Sequence, residues 1–269
     1  MESAAALPAL ELPGLLSLLT GAFVASLRIG AFLIASPAFG GRFVPLPVRI
    51  VATVILTLPV LGRVELPPPE ELASLAAIPL MMQEIAVGLS AGLVLTILFS
   101  AAALAGDRIA STAGLGFAAQ IDPSAGGQTP VVAQIFGLAL TTVFLALDGH
   151  LTALDILLRS YESLPPGAPF APGRFLEAGI GAGGRMFLLG LQIMMPVVAA
   201  LILINVTIGI VTRSAPQLNV FSFGFPVTMS ATLILLFLTA PGTMGAFSGL
   251  VEESLTALAG LLGVVHGRG

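Results

Sequence analysis

The sequence predicts an all-α, polytopic membrane-type protein with kinked and broken helices and helical hairpins. Three observations carry this. The 269 residues are 57% hydrophobic. Only 9% are charged, against roughly 25% in a soluble domain. The apolar residues gather into about six runs, three of them awkward in length for a simple span, separated by short stretches rich in Gly and Pro.

Composition also removes function classes. Without Cys there is no disulfide, no thiolate metal site and no Cys nucleophile. His150 and His266 are the only histidines, which argues against a His-based metal centre. Every basic residue is Arg, so neither a P-loop lysine nor a Schiff base is available. No cofactor is expected. The net charge is −4 with no basic run, so no nucleic-acid partner is expected. Trp is absent and Tyr161 is the single tyrosine. Interfacial belts of Trp and Tyr are therefore missing, which hints that much of the surface meets protein rather than membrane lipid. Residues 1–12 hold Glu2 and Glu11 and no Arg, so a cleaved signal peptide is not expected.

The first apolar run is 12–35, and Arg28 lies inside it, snorkelling or paired. Residues 36–47, SPAFGGRFVPLP, form a turn. The second run, 48–61, is short for a span of ~20 residues. Residues 62–71 form a polar loop stiffened by three prolines. A third helix is predicted over 79–105, and its Gly88 and Gly92 let another helix come close. Glu84 is the carboxylate of this helix. It is either a proton or ion site, or a helix-end group facing water or an Arg.

A fourth span is predicted over 131–147. Asp148 and His150 follow it, but no nucleophile accompanies them, so Asp148 reads as a cap for the amphipathic helix at 151–162. Residues 164–173 form a proline-rich loop, and 175–212 form another long apolar run. Gly179 and Gly183 at its start suit close helix packing, Pro196 predicts a kink, and Asn205 predicts a bond to a neighbouring helix. Residues 213–226, RSAPQLNVFSFGFP, turn the chain into a hairpin. Only 14 residues lie between Pro226 and Pro241, so the second arm is expected to break or kink at a proline. Gly245 and Gly249 form a further packing pair. Loop arginines divide four and four (Arg42, Arg49, Arg108 and Arg213 against Arg63, Arg159, Arg174 and Arg268), so they set no orientation.

The middle of the chain is different. Residues 106–130, GDRIASTAGLGFAAQIDPSAGGQTP, hold too much Gly, Ser and Thr for an ordinary span and too many apolar groups for a solvated loop. Irregular backbone at membrane depth survives only where protein buries it or a water-filled cavity surrounds it. Gly114 and Gly116 permit unusual backbone shapes, and Leu115 and Phe117 can fill a narrow lumen. Two readings stand: a gate inside a passage, or an immobile packed connector.

Four pieces of sequence carry a resemblance: 27–50, LRIGAFLIASPAFGGRFVPLPVRI; 105–126, AGDRIASTAGLGFAAQIDPSAG; 148–167, DGHLTALDILLRSYESLPPG; and 213–226. In order and spacing they resemble the FliR/SctT export-gate family of type III secretion systems. The resemblance implies a non-enzymatic subunit of the flagellar export gate in the bacterial inner membrane, within the flagellar basal body. It implies assembly with FliP and FliQ into a helical core that conducts unfolded flagellar proteins, with FlhB and FlhA nearby. It further implies one membrane domain with a FliP-like part at about 1–175 and a FliQ-like hairpin at about 176–262.

Carried across, the channel plug spans Gly106, Asp107, Gly114, Leu115, Gly116, Phe117, Ile121, Asp122 and Pro123. The cytoplasmic hairpin tip comprises Arg213, Ala215, Pro216, Gln217, Leu218 and Asn219. The virulence-type SctT subunit shares these motifs and is the near alternative. A secondary transporter using Glu84 or the Pro196 break is the more distant one. A membrane enzyme using Asp148 and His150 is more distant still.

Overall fold

The computed structural model describes residues 12–41, 44–61, 74–75, 77–115, 130–169, 171–215, 217 and 223–264. Among them lie seven helices: α1 Leu12–Ala35, α2 Leu46–Leu61, α3 Ala77–Thr112, α4 Val131–Ala146, α5 Gly149–Ser163, α6 Pro172–Ser214 and α7 Phe225–Leu262. The all-α membrane-type fold is therefore observed. Four helices are long and apolar enough to cross a membrane: α1 (from Gly14), α3, α6 and α7. The pair α4 and α5 is bent by 68° and makes a fifth crossing if taken as one broken span. At 16 residues α2 is about 24 Å long, short of a ~30 Å hydrocarbon core.

Two expectations about helix ends are corrected. The third helix does not stop at Ala105 but runs on to Thr112, so Gly106 and Asp107 are helical rather than part of a loop. Gly106 looks like a breaker, yet its missing side chain is used for packing. A Cβ there would stand 2.5 Å from the Ala133 Cα of α4. The second correction concerns the last arm, which is not broken at a proline. Helix α7 is continuous for 38 residues through Pro241. Pro226 sits in its first turn, where no backbone donor is needed. Helix α6 likewise runs unbroken through Pro196.

The chain forms two compact units. The first comprises Met1–Thr96, His150–Ile180 and Leu255–Gly269; the second comprises Ile97–Gly149 and Gly181–Ser254. In the first, α1 lies directly on α3. A Cβ on Gly92 would stand 2.6 Å from the Ala35 Cβ, and one on Gly88 would strike the Arg28 carbonyl oxygen. Thr96 donates to the Ala35 carbonyl at 2.6 Å. Ile29, Phe32, Val87, Leu95, Ile156 and Leu157 are buried in this unit.

The second unit is held by aromatic and small-residue contacts. Phe99 meets Phe144 edge-on at 5.1 Å, and Phe136 meets Phe247 at 5.6 Å. Gly190 of α6 admits Leu104 of α3, whose Cδ2 would be 2.9 Å from an added Cβ. Arg185 and Glu253 join α6 to α7 at 3.3 Å.

Candidate functional site

The site is built where α3 ends and the central stretch departs. Helix α3 closes on Gly114, which adopts φ +80°. The Leu115 N–H bonds the Ala110 carbonyl at 3.0 Å, and the Gly114 N–H bonds the Ser111 carbonyl at 3.1 Å. This paired pattern satisfies carbonyls that a helix end otherwise leaves open, and its left-handed residue favours glycine. Thr112 carries another terminal carbonyl. Its partner comes from α6, where the Asn205 Nδ2 donates to it at 3.0 Å.

Beside this contact is a cavity of about 320 Å³. The end of α3 (Ser111, Gly114), the last part of α6 (Asn205, Gly209) and the start of α7 (Phe225, Thr228) line it. Thr228 turns its hydroxyl back to the Gly224 carbonyl at 3.1 Å. The walls are thus mostly apolar, with the Asn205 amide as the polar group that crosses between helices.

The expected gate and tip residues divide between described and undescribed positions. Gly106 and Asp107 are in α3, and Gly114 and Leu115 form the turn after it. Gly116, Phe117, Ile121, Asp122 and Pro123 lie outside the described residues. At the hairpin tip, Arg213 is in the last turn of α6, and the Ala215 N–H bonds the Val211 carbonyl at 2.8 Å. Gln217 is described as part of a turn, while Pro216, Leu218 and Asn219 lie outside the described residues. Gly88 and Gly92 face α1. Added Cβ atoms at Gly179, Gly183, Gly245 and Gly249 meet nothing within 4 Å, so these glycines are open faces of α6 and α7.

The sequence alone leaves Arg28 and Glu84 unassigned to each other. They form a fully buried, two-pronged ion pair. Arg28 Nε donates to Glu84 Oε2 at 2.8 Å, and Nη2 donates to Oε1 at 2.9 Å. Nη1 donates to Ser160 Oγ at 3.0 Å and Nη2 to the Leu164 carbonyl at 2.7 Å. The guanidinium stands 4.2 Å from the Tyr161 ring centre, and the Tyr161 hydroxyl donates to the Ala25 carbonyl at 2.5 Å. The pair joins α1, α3, α5 and the turn after α5. Both Glu84 oxygens are occupied and sealed from solvent, which is the arrangement of a structural pin rather than a proton relay. The signal in the sequence was two opposite charges in two apolar runs, but helical periodicity relates only near neighbours and cannot pair positions so far apart.

Asp148 joins α4 to α5 with φ 53°, a left-handed value that Asp tolerates better than most residues. Among the described residues no group of three or more His, Asp or Glu is placed to hold a metal ion.

A family model described as bacterial export proteins, family 1, matches residues 19–254. The chain belongs to that family. The match begins within α1 and ends within α7, so it contains the Arg28–Glu84 pair, the end of α3 and Asn205. Several similar proteins are named flagellar biosynthetic protein FliR. That of Pectobacterium carotovorum is 34% identical, with 87% of this chain and 90% of the relative covered. That of Escherichia coli is 31% identical, covering 88% and 90%. That of Bacillus subtilis is 32% identical, covering 78% and 82%. This export family member is a multi-pass membrane protein by the length and hydropathy of its helices.

Proposed function

We propose that the chain is a non-enzymatic subunit of the flagellar type III export gate in the bacterial inner membrane. With FliP and FliQ it forms the passage through which unfolded flagellar proteins leave, and FlhB and FlhA lie beside it in the basal body. The observation that carries this reading is the family match over 19–254 together with relatives named FliR that are covered almost end to end. The open apolar and glycine faces of α6 and α7 support it, because they suit close packing by sibling helices. The FliP-like part at about 1–175 and FliQ-like hairpin at about 176–262 belong to the same proposal.

Within the gate, the stretch after Gly114 obstructs the passage. Its departure point supports this: α3 is stopped by a tailored cap, after which the sequence turns to the apolar, glycine-bearing run at 115–121. Removing residues 116–120 keeps the cap and shortens the obstruction. In complexes of normal composition, single-channel conductance is expected to rise well above the wild-type baseline. A shortened chain that assembles with its siblings and stays as tight to ions as wild type refutes the plug. Failure of FliP and FliQ to co-purify with the full chain in mild detergent refutes the assembly.

A further inference from the structure

We infer that the last two turns of α7 complete the surroundings of Arg28, so that the first unit locks only once α7 is in place. The other parts of that unit lie before residue 181, and the segment from Leu255 is the piece that α7 supplies. This holds whether or not the central stretch gates a passage.

Helix α7 changes character along its length. From Phe225 to Ala246 it buries only Thr228 and Thr232. From Leu255 to Leu262 it buries Leu255, Leu258, Ala259, Leu261 and Leu262, all within the first unit. The helix then stops in a turn at Gly263, φ +69°, where the Val264 N–H bonds the Ala259 carbonyl at 3.0 Å. Two more carbonyls of this end are taken by side chains of other helices. Ser163, the last residue of α5, donates its hydroxyl to the Leu262 carbonyl at 2.7 Å. Arg174, in the first turn of α6, donates Nη2 to the Gly260 carbonyl at 2.8 Å, and its charge suits the negative end of the helix.

Ser163 ties this docking to Arg28. Its neighbour Leu164 offers the carbonyl that Arg28 Nη2 binds at 2.7 Å, and Ser160 accepts from Nη1 at 3.0 Å. The Leu164 N–H bonds the Ser160 carbonyl at 2.8 Å, so these residues move together. One short piece of backbone, 160–164, thus meets Arg28 through Ser160 and Leu164 and meets α7 through Ser163. Tyr161, in the same piece, stands with its ring centre 4.2 Å from the guanidinium. Without α7 the end of α5 frays. Arg28 then keeps Glu84 but loses the fixed position of its other acceptors, which a buried guanidinium tolerates poorly. Joining stretches so distant in sequence also carries a loop-closure cost that nearby contacts do not, which places this step late in folding.

Tyr161 is the single tyrosine and Trp is absent, so tyrosine fluorescence reports this one buried ring. The test measures its quenching by acrylamide, with amide hydrogen exchange alongside, in the purified chain in mild detergent. A chain ended after Ser254 and a full chain carrying Leu258→Asp are both expected to raise quenching about three-fold or more, as a locally opened unit does. Amides around Phe99 and Phe144 in the second unit are expected to keep their protection. Ser163→Ala removes one bond and is expected to speed exchange of the Leu164 amide about three- to ten-fold, and Ser163→Thr, which keeps the hydroxyl, to stay near wild type. If Tyr161 stays shielded both in the shortened chain and with Leu258→Asp, α7 does not complete the surroundings of Arg28 and the inference is overturned. Equal loss of protection in both units overturns it too, because α7 then supports the chain as a whole. Where neither of those two variants can be purified, Ser163→Ala decides. Unchanged Leu164 exchange overturns the inference, and acceleration that Ser163→Thr reverses upholds it.

Discussion

The surroundings of Arg28 in the first unit and of Asn205 in the second solve the same problem, a polar side chain in an apolar helix, in opposite ways. Arg28 is wholly buried, and its donors reach Glu84, Ser160 and the Leu164 carbonyl. Asn205 makes one cross-helix bond beside a cavity and is exposed. The helices around them differ in the same sense. Over its most apolar window α3 is 56% buried, whereas α6 is 22% and α7 17% buried. A closed network locks helices in one register, because losing any member strands a charge. A single bond beside empty space can break and re-form at small cost. The chain thus combines a closed polar network with two open helix faces.

The largest expected effect tests the rigid side. Glu84→Ala leaves the Arg28 charge buried and unpaired, which costs about 3–5 kcal/mol. The purified complex is expected to melt far below wild type in detergent. Replacing both partners, Arg28→Met with Glu84→Leu, removes the stranded charge and recovers most of the loss. Wild-type melting of Glu84→Ala would erase the contrast with Asn205.

The glycines sharpen the comparison because one substitution takes opposite signs. Gly88→Ala drives a methyl into the Arg28 carbonyl and is expected to cost about 1–3 kcal/mol. Gly245→Ala meets open space, so it gains helix propensity and stabilises the isolated chain by up to about 1 kcal/mol. The same alanine is expected to lower the yield of co-purified siblings, since the open face is then no longer flat. Thermal melting of the chain and subunit stoichiometry of the complex separate these effects. Equal destabilisation by both would mean that α7 is packed within the chain after all.

These glycines also show how far the sequence could be read. The existence of the long helices and their membrane character followed from hydropathy alone. Gly88 and Gly92 were placed on a packing face by spacing, and α1 covers them. Gly106 misled, because a glycine that admits a neighbouring backbone looks identical to one that ends a helix. Pro241 does not break α7, because neighbouring helices, Ser and Thr side chains and small backbone adjustments can absorb a missing donor within a long apolar helix. The Arg28–Glu84 pair was beyond reach, since only the folded arrangement of α1 against α3 brings the two together. Asn205 was legible as a group that needs a partner, though not as one that chooses the end of α3.

A smaller effect tests the turn that closes α3. Gly114 holds φ +80°, and Gly114→Ala forces a side chain into that region at about 1–2 kcal/mol. The strain falls on the two bonds that close α3. Hydrogen exchange of the Leu115 amide is expected to accelerate, while amides in the Phe99 region keep their protection. Unchanged exchange at Leu115 would show that something other than the glycine turn fixes the helix end.

The smallest expected effect comes from an exposed ion pair. Arg159 and Asp155 of α5 form an ion pair with the same Nε–oxygen distance as Arg28 and Glu84, 2.8 Å in both. Both are Arg–carboxylate pairs, but the Arg159 and Asp155 side chains are 61% and 54% exposed whereas the inner pair is fully enclosed. Water can solvate whichever partner is left, so Arg159→Ala is expected to change stability by no more than about 0.5 kcal/mol. Both substitutions break an Arg–carboxylate pair of the same Nε–oxygen distance, and the inner pair differs in its enclosure and its second prong. Melting shifts of similar size would place the worth of the inner pair in its geometry alone, and a stranded charge would no longer explain how that pair locks the helices.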